Sequence, residues 1–521
     1  MSEQSELVKR RYEELEHIKA MGINPYPHRF DVSHYSKDII DNFIDPNDDE
    51  QKEKLKDNVV SAAGRIMAIR KMGKACFVHI KDEQGKIQLY IKKDDVGEES
   101  YNLLKLLDIG DIIGAVGYVF RTKTGEVSIH CNSFTLLTKS LHPLPVVKEE
   151  VLESGEKIIH DAFADVELRY RQRYIDLIVN DGVKEVFIKR TKIIQSIKRT
   201  LEKENFFEVE TPTLQSVYGG ANARPFVTHH NSLDMALYLR ISNELFLKRL
   251  IVGGFNRVYE FVRDFRNEGI DRTHNPEFTQ VEWYQAYGDY FDSMNLFEKV
   301  VEQACIDANG TTVVKYGDTE IDFKAPWKRI KMVDAINEKN GIDVLSMSKD
   351  EIINWMVKND INFDRKISHS KGLIISTLFE ETCEGELVQP TFITEHPIDS
   401  TPLCKPLREY SMQQLEEMKK DPEQVIFVER FEPYINKWEL GNSYTELNDP
   451  VLQRALLENQ VERGRGGEEE THPMDDDFLR AIEVGMPPTT GVGLGVDRLV
   501  MLLTDSQTIR DVIFFPLMRH I

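Results

Sequence analysis

Arg266, Glu268, His274, Asn275, Phe278 and Glu282 crowd one short stretch, and a second arginine, Arg498, closes the glycine-rich run Gly491-Val-Gly-Leu-Gly-Val-Asp. Arginine presents a planar fork that grips oxyanions at two points and does not give up its proton. Glu244, Glu432, Glu439 and Glu446 add carboxylates, hard oxygen donors of the kind that hold divalent cations. Phosphate binding and charge neutralisation are the chemistry these residue types suit. Plainer readings stand beside it. The glycine spacing matches neither the Walker nor the Rossmann pattern, and a glycine cap and loop would give the same letters. Glu244 would serve as a first-turn acid favoured by a helix dipole. Pairs such as Glu432 and Glu439 are common on solvated surfaces.

The elements that position these residues follow from periodicity. Residues 255–265 and 278–286 are aromatic and β-branched, alternate with period two and flank a polar loop with Gly269, Asp271, Asn275 and Pro276. This predicts a β-hairpin with a long connection, and long loops inside compact domains tend to be functional. Alternation puts Glu260, Val262, Asp264 and Arg266 on one face of the first strand and Phe278, Gln280, Glu282 and Tyr284 on one face of the second. A face with so many ionisable groups does not read as core; the alternative is a solvated sheet face. Upstream, 188–204 reads as a helix and 206–212 as a strand ending at Pro212. Gly219-Gly220-Ala221 allows close backbone approach to a ligand, or simply a tight turn. A strand at 237–242 and a helix at 243–251 precede the hairpin. Helices at 290–309 and 348–359, a small hairpin at 313–323, an insertion over about 329–418, a strand at 425–434 and a helix at 499–504 follow.

Phe265-Arg266-Asn267-Glu268-Gly269, followed by His274-Asn275-Pro276-Glu277-Phe278, resembles the second signature motif of class II aminoacyl-tRNA synthetases, and within that class it is similar to the lysine enzymes. The helix, strand and Pro212 resemble the first motif, which in the family builds a homodimer interface. Gly491 to Arg498 resembles the third. The resemblance implies activation of L-lysine by ATP to lysyl-adenylate, then transfer to the 3′ end of tRNA(Lys), in a cytoplasmic homodimer using Mg²⁺. The first nucleophile, the lysine carboxylate, is already an anion, so positioning and charge cancellation replace a general base. By the same resemblance, Arg266 and Arg498 are the catalytic residues. Arg266 holds the α-phosphate, while Arg498 stacks on adenine opposite Phe278. Glu268, His274, Asn275 and Glu439 complete the ATP site, and Glu432 and Glu439 hold the metal. Gly220, Glu244, Glu282, Tyr284, Asn442, Tyr444 and Glu446 form the lysine pocket. Tyr444 departs from the Phe of some bacterial members and brings a hydroxyl without an obvious partner. The similar aspartate enzymes place an arginine where Glu446 stands, so an ammonium-bearing substrate is expected here.

Five short strand candidates, 59–69, 75–81, 86–92, 111–121 and 126–137, punctuated by glycines and with a helix at 99–107, suggest an OB-type barrel. Such barrels bind single-stranded nucleic acid by stacking and a few polar contacts. Phe77 alone would also suit a barrel core. The stretch resembles the anticodon-binding domain of the lysine, aspartate and asparagine enzymes, which implies that Arg65, Phe77, Gln88 and Glu126 read the anticodon. The fold expected is therefore multidomain α+β: an N-terminal helical extension (1–58), a five-stranded OB-type barrel (59–140), a linker (141–164), and a class II catalytic domain (165–521) on an antiparallel sheet flanked by helices.

At 521 residues, 41% hydrophobic and 30% charged, the composition is that of an ordinary globular chain with room for two or more domains. No apolar run approaches the roughly 18 residues of a membrane span, and the acidic N-terminal segment lacks the apolar core of a signal peptide. Five scattered cysteines without a Cys-x-x-Cys fit reduced thiols. A net charge of −22 argues against non-specific nucleic-acid binding but leaves room for a local basic surface, such as Arg65, Arg70, Lys71 and Lys74. A relative that lysylates a protein would lack the barrel, and a non-catalytic RNA-binding paralogue would lose Arg266, Arg498 or the carboxylates. This sequence retains all of them.

Overall fold

Buried Val60, Ala62 and Ile66 alternate with more exposed neighbours along β1 (Val59–Met72), as do Cys76, Val78 and Ile80 along β2 (Ala75–Lys81). The same period continues in β3 (Lys86–Lys92), β4 (Ile112–Arg121) and β5 (Val127–Thr138). The five strands close into a barrel in the order β1-β2-β3-β5-β4 with the apolar side inward. Their ends differ from the sequence expectation by a few residues at most. The helix Glu3–Ala20 reads from its sequence as a surface helix, but it docks on the barrel. Ile18 joins the barrel core, and Arg11 donates to the carbonyls of Ser140 and Ile109, each at 2.9 Å. Those carbonyls let the guanidinium be buried with its hydrogen bonds kept.

The computed structural model describes residues 3–145, 148–151, 157–160, 163–221, 223–363, 370–418, 420–421, 423–465 and 473–519. The chain divides into two units, Met1–Ala164 and Asp165–Ile521. The linker expected over 141–164 lies partly outside the described residues; its described part holds a hairpin of β6 (Lys148–Val151) and β7 (Lys157–His160).

The second unit is built on a nine-stranded sheet. Its strands are β8 (Phe207–Glu208), β12 (Arg257–Phe265), β13 (Glu277–Ala286), β16 (Lys328–Lys331), β17 (Thr391–Pro397), β18 (Phe427–Ile435), β19 (Trp438–Glu439), β20 (Gly441–Thr445) and β21 (Thr489–Gly495). The order is β16-β17-β18-β20-β21-β13-β12-β8, with β19 on β18. Pairing is antiparallel except for β16 with β17 and β12 with β8. A three-stranded sheet of β9 (Leu214–Gln215), β10 (Val227–His230) and β11 (Met235–Leu239) and a hairpin of β14 (Val313–Tyr316) and β15 (Thr319–Asp322) accompany it.

Alternation along β13 sorts the two faces of the sheet. Val281 and Trp283 enter the large core formed with Ile193 and Ile197 of helix Val183–Lys203 and Phe297 of helix Tyr290–Asn309. Gln280, Glu282 and Tyr284 face the other way.

Three elements differ from the sequence expectation. The strand read over 206–212 is only β8. Beyond it, Thr211 is drawn to Glu260, donating through its backbone N–H (3.0 Å) and hydroxyl (2.7 Å), so the chain leaves the sheet. The stretch 329–418 supplies β16 and β17 to the sheet, while its helices Met332–Asn340, Lys349–Lys358 and Lys371–Thr382 share a second core with Ile393 of β17 and Phe427 and Tyr434 of β18; residues 364–369 lie outside the description. The glycine run before Arg498 is a central strand, β21, and the helix begins at Val496.

Candidate active site

The glycines of β21 explain the cavity. Asn442, Gly493 and Glu282 stand side by side across β20, β21 and β13, and Tyr444, Gly491 and Tyr284 form the next row. Side chains rise on both flanks and none from the middle, leaving a trough. A Cβ on Gly491 would lie 2.3 Å from Glu446 Oε1 and 2.3 Å from the Tyr284 ring, so the row closes only around glycine. The trough opens into a cavity of about 460 Å³. It is lined by Gly220, Glu244, Arg266, Glu268, His274, Asn275, Phe278, Glu282, Tyr284, Glu432, Glu439, Asn442, Tyr444 and Arg498. Segments separated by more than two hundred residues thus meet in one place.

Glu446 does not line the cavity. It sits just behind the wall, fully buried, with Oε2 2.5 Å from Lys248 Nζ. Lys248 is the partner of Oε2, and Oε1 has no hydrogen-bond partner among the described residues. Burial pushes its carboxyl up to about 8, against the pull of Lys248. Glu282 is also raised well above the usual range, first by burial and then by Asp264 and Glu244. Its oxygens accept from Gln280 at 2.7 Å, Ser242 at 3.1 Å and the Tyr284 hydroxyl at 3.2 Å. Glu260, beside Glu282 in the sheet, is committed elsewhere, to Thr211, Arg240 and Asn243. The inner end of the cavity therefore holds carboxylates short of positive charge.

The other end is built around arginines. Arg266 lies with its guanidinium carbon 5.1 Å from the centre of the Phe278 ring, and its buried Nε has no hydrogen-bond partner among the described residues. Arg498 donates to the Glu439 carbonyl at 2.5 Å and to His274 Nε2 at 3.0 Å. Because arginine only donates, His274 accepts at Nε2 and turns its Nδ1–H to Asp271, 2.8 Å away. Asn275 is tied back to the Glu277 carbonyl at 2.6 Å. Glu432 is fixed by Arg430 at 2.5 Å and the Tyr434 hydroxyl at 2.8 Å; burial opposes its ionisation, but Arg430 outweighs it and the carboxyl is lowered. Glu439 is raised to about 7 by burial and by Glu432. Two neighbouring carboxylates in this state suit a bound cation.

On the barrel, Phe77 is half-buried on the outer face, not in the core. It packs on Tyr90 with ring centres 5.1 Å apart. Beside it Glu126 accepts from Gln88 at 2.7 Å and meets His79 Nε2 at 2.9 Å, while Gln88 Oε1 accepts from Ser128 at 3.0 Å. Arg65 lies on the outer side of β1 and donates to the Gly110 carbonyl at 2.7 Å.

The sequence reading missed His79, Lys248, Ser242 and Arg430, and placed Gln280 on the right face without giving it a role. His79 and Arg430 carry a usable signal, since each lies two residues along the same strand face from a chosen residue. Lys248 lies one helical turn from Glu244, but a lysine on a helix gives no hint of burial.

Residues 165–519 match the family described as tRNA synthetases class II (D, K and N), and residues 60–137 match the OB-fold nucleic acid binding domain. Relatives named lysine–tRNA ligase from two strains of Porphyromonas gingivalis are each 49% identical over 526 residues, covering 100% of this chain and 86% of the relative. The chain belongs to the class II tRNA synthetases (D, K and N).

Proposed function

We infer that this chain is a lysine–tRNA ligase. It activates L-lysine with ATP and transfers the lysyl group to tRNA(Lys), releasing AMP and diphosphate. The observation that carries the amino-acid choice is the set of buried carboxylates Glu244, Glu282 and Glu446, with Lys248 shared between two of them and no cation among the described residues on Glu282. A lysine ammonium loses its hydration on entering such a pocket, and the loss is offset only where carboxylates surround it. A carboxylate substrate would meet repulsion at the same place.

Several parts of this reading rest on the position of residues. Glu244, Glu282, Tyr284, Asn442 and Tyr444, with Gly220 beside them, frame the lysine, and Glu446 supplies charge from behind the wall. Arg266 holds the α-phosphate, which places the phosphorus before the lysine carboxylate. Phe278 and Arg498 take the two faces of adenine, and Glu268, His274 and Asn275 contact the nucleotide. Attack forms the bond from the lysine carboxylate oxygen to phosphorus and breaks the bond to diphosphate. The arginines stabilise charge as it moves, with no reorganisation at that moment.

Glu432 and Glu439 fit a magnesium ion: one is oriented by Arg430 and Tyr434, and the other is held by no hydrogen bond to a described residue. Among the described residues no three His, Cys, Asp or Glu side chains gather as a metal centre. The pair would supply two ligands, and phosphate oxygens and water the rest. When bound, the ion neutralises phosphate charge. On the barrel, Phe77 stacks a base while Gln88, Glu126 and Arg65 contact its edge and backbone. A homodimer through the first-motif helix and a cytoplasmic location complete the proposal; no helix among the described residues is long and apolar enough to cross a membrane.

Amino-acid-dependent ATP–pyrophosphate exchange tests the reading. Lysine is expected to support exchange, and aspartate and asparagine are not. Exchange with aspartate in place of lysine would overturn it.

A further inference from the structure

Lys248 stands one turn after Glu244 on helix Glu244–Val252, and its side chain is fully buried. Its Nζ lies 2.6 Å from Glu244 Oε1 and 2.5 Å from Glu446 Oε2. The ammonium also sits over the Tyr444 ring at 5.5 Å and the Phe478 ring at 5.9 Å. The Tyr444 hydroxyl donates to the same Glu244 Oε1 at 2.7 Å. This is the partner that the sequence left unnamed.

A buried ion pair is a poor device for stability alone, since apolar side chains of similar volume often do as well or better. The count of charges gives this one a different use. Glu244, Glu282 and Glu446 bring three carboxyl groups to one end of the cavity. Lys248 offsets one of them, and the two that remain equal the two ammonium groups of free lysine. The oxygens are divided in the same way. Lys248 and Tyr444 occupy Glu244 Oε1, and Lys248 occupies Glu446 Oε2. The remaining Glu446 oxygen, Oε1, is the one that lies against Gly491 in the cavity wall.

We propose that Lys248 and the Tyr444 hydroxyl are positioning residues for the amino-acid site, offsetting one of its carboxylates and turning the other oxygens of Glu244 and Glu446 towards the two ammonium groups of the substrate. The inference rests on the reading of this cavity as the lysine site. The buried Cys404 thiol and the Tyr444 phenol also face Lys248, and the Tyr284 phenol faces its two carboxylates; burial raises all three, so they stay neutral.

Lys248→Met keeps the stem and deletes the charge. Tyr444→Phe keeps the ring and deletes the hydroxyl, and it carries the test if Lys248→Met does not fold by circular dichroism. In lysine-dependent pyrophosphate exchange, the lysine KM should rise about 10-fold or more for Lys248→Met and about 5-fold for Tyr444→Phe, with the ATP KM within about twofold. The acid limb of lysine kcat/KM should move to higher pH in both, because each change leaves a carboxylate harder to ionise. A purely structural role would lower the melting temperature without moving that limb. Folded variants with an unchanged lysine KM and an unmoved limb overturn the inference alone. No lysine-dependent exchange by the wild type would overturn the reading of the cavity, and this inference with it.

Discussion

The outer face of the barrel and the trough of the large sheet both set glutamates beside aromatic rings, yet they treat charge in opposite ways. On the barrel, Glu126 is 46% exposed and both its oxygens have partners, His79 and Gln88. Glu282 in the trough and Glu446 just behind its wall are buried, and burial raises both carboxyls. A surface that reads neutral base edges gains from hydrogen bonds already made and held in register. A pocket that selects an ammonium gains from carboxylates that still lack a positive charge. The second arrangement is costly until the substrate arrives, which is what makes it selective.

The comparison is sharpest where a change should affect both activation and charging. Arg266→Lys keeps the charge but loses the two-point fork, so pyrophosphate exchange and tRNA charging should fall together, by about 10²–10³-fold. Near wild-type exchange would remove Arg266 from the phosphate site. Phe77→Ala should act on the barrel alone. It removes stacking of about 1–3 kcal/mol per base, so charging should weaken while lysine-dependent exchange stays unchanged. A parallel loss of both would mean that Phe77 supports the fold and not the RNA.

Much of this division was readable in the sequence, for physical reasons that differ between elements. The barrel strands and helix Tyr290–Asn309 follow from local periodicity, which tertiary packing left undisturbed. Phe77 was ambiguous because an aromatic residue suits either face of a strand, and only its place in the alternation with Cys76 and Val78 puts it outside. No strand was read over the run that approaches the helix from Gly491, because glycine is depleted in strands. It is a central strand because Tyr284 and Glu446 occupy the space that side chains would fill. The two strands within 329–418 could not be found locally, since β17 is defined by its long-range pairing with β18. The position of Glu446 behind the wall, and not in it, depended on Lys248, whose burial no pattern announces.

Calorimetry of L-lysine binding to the wild-type protein tests the central claim most directly, namely that the pocket selects lysine by leaving buried carboxylates without enough positive charge. Burial raises the carboxyls of both Glu282 and Glu446, and an arriving ammonium should pull them down, so lysine binding should be linked to the loss of protons from this pair. The heat of binding, measured near pH 7 in buffers of different ionisation enthalpy, should then report net proton release. Binding with no proton exchange at pH 7, or with proton uptake, would contradict the account.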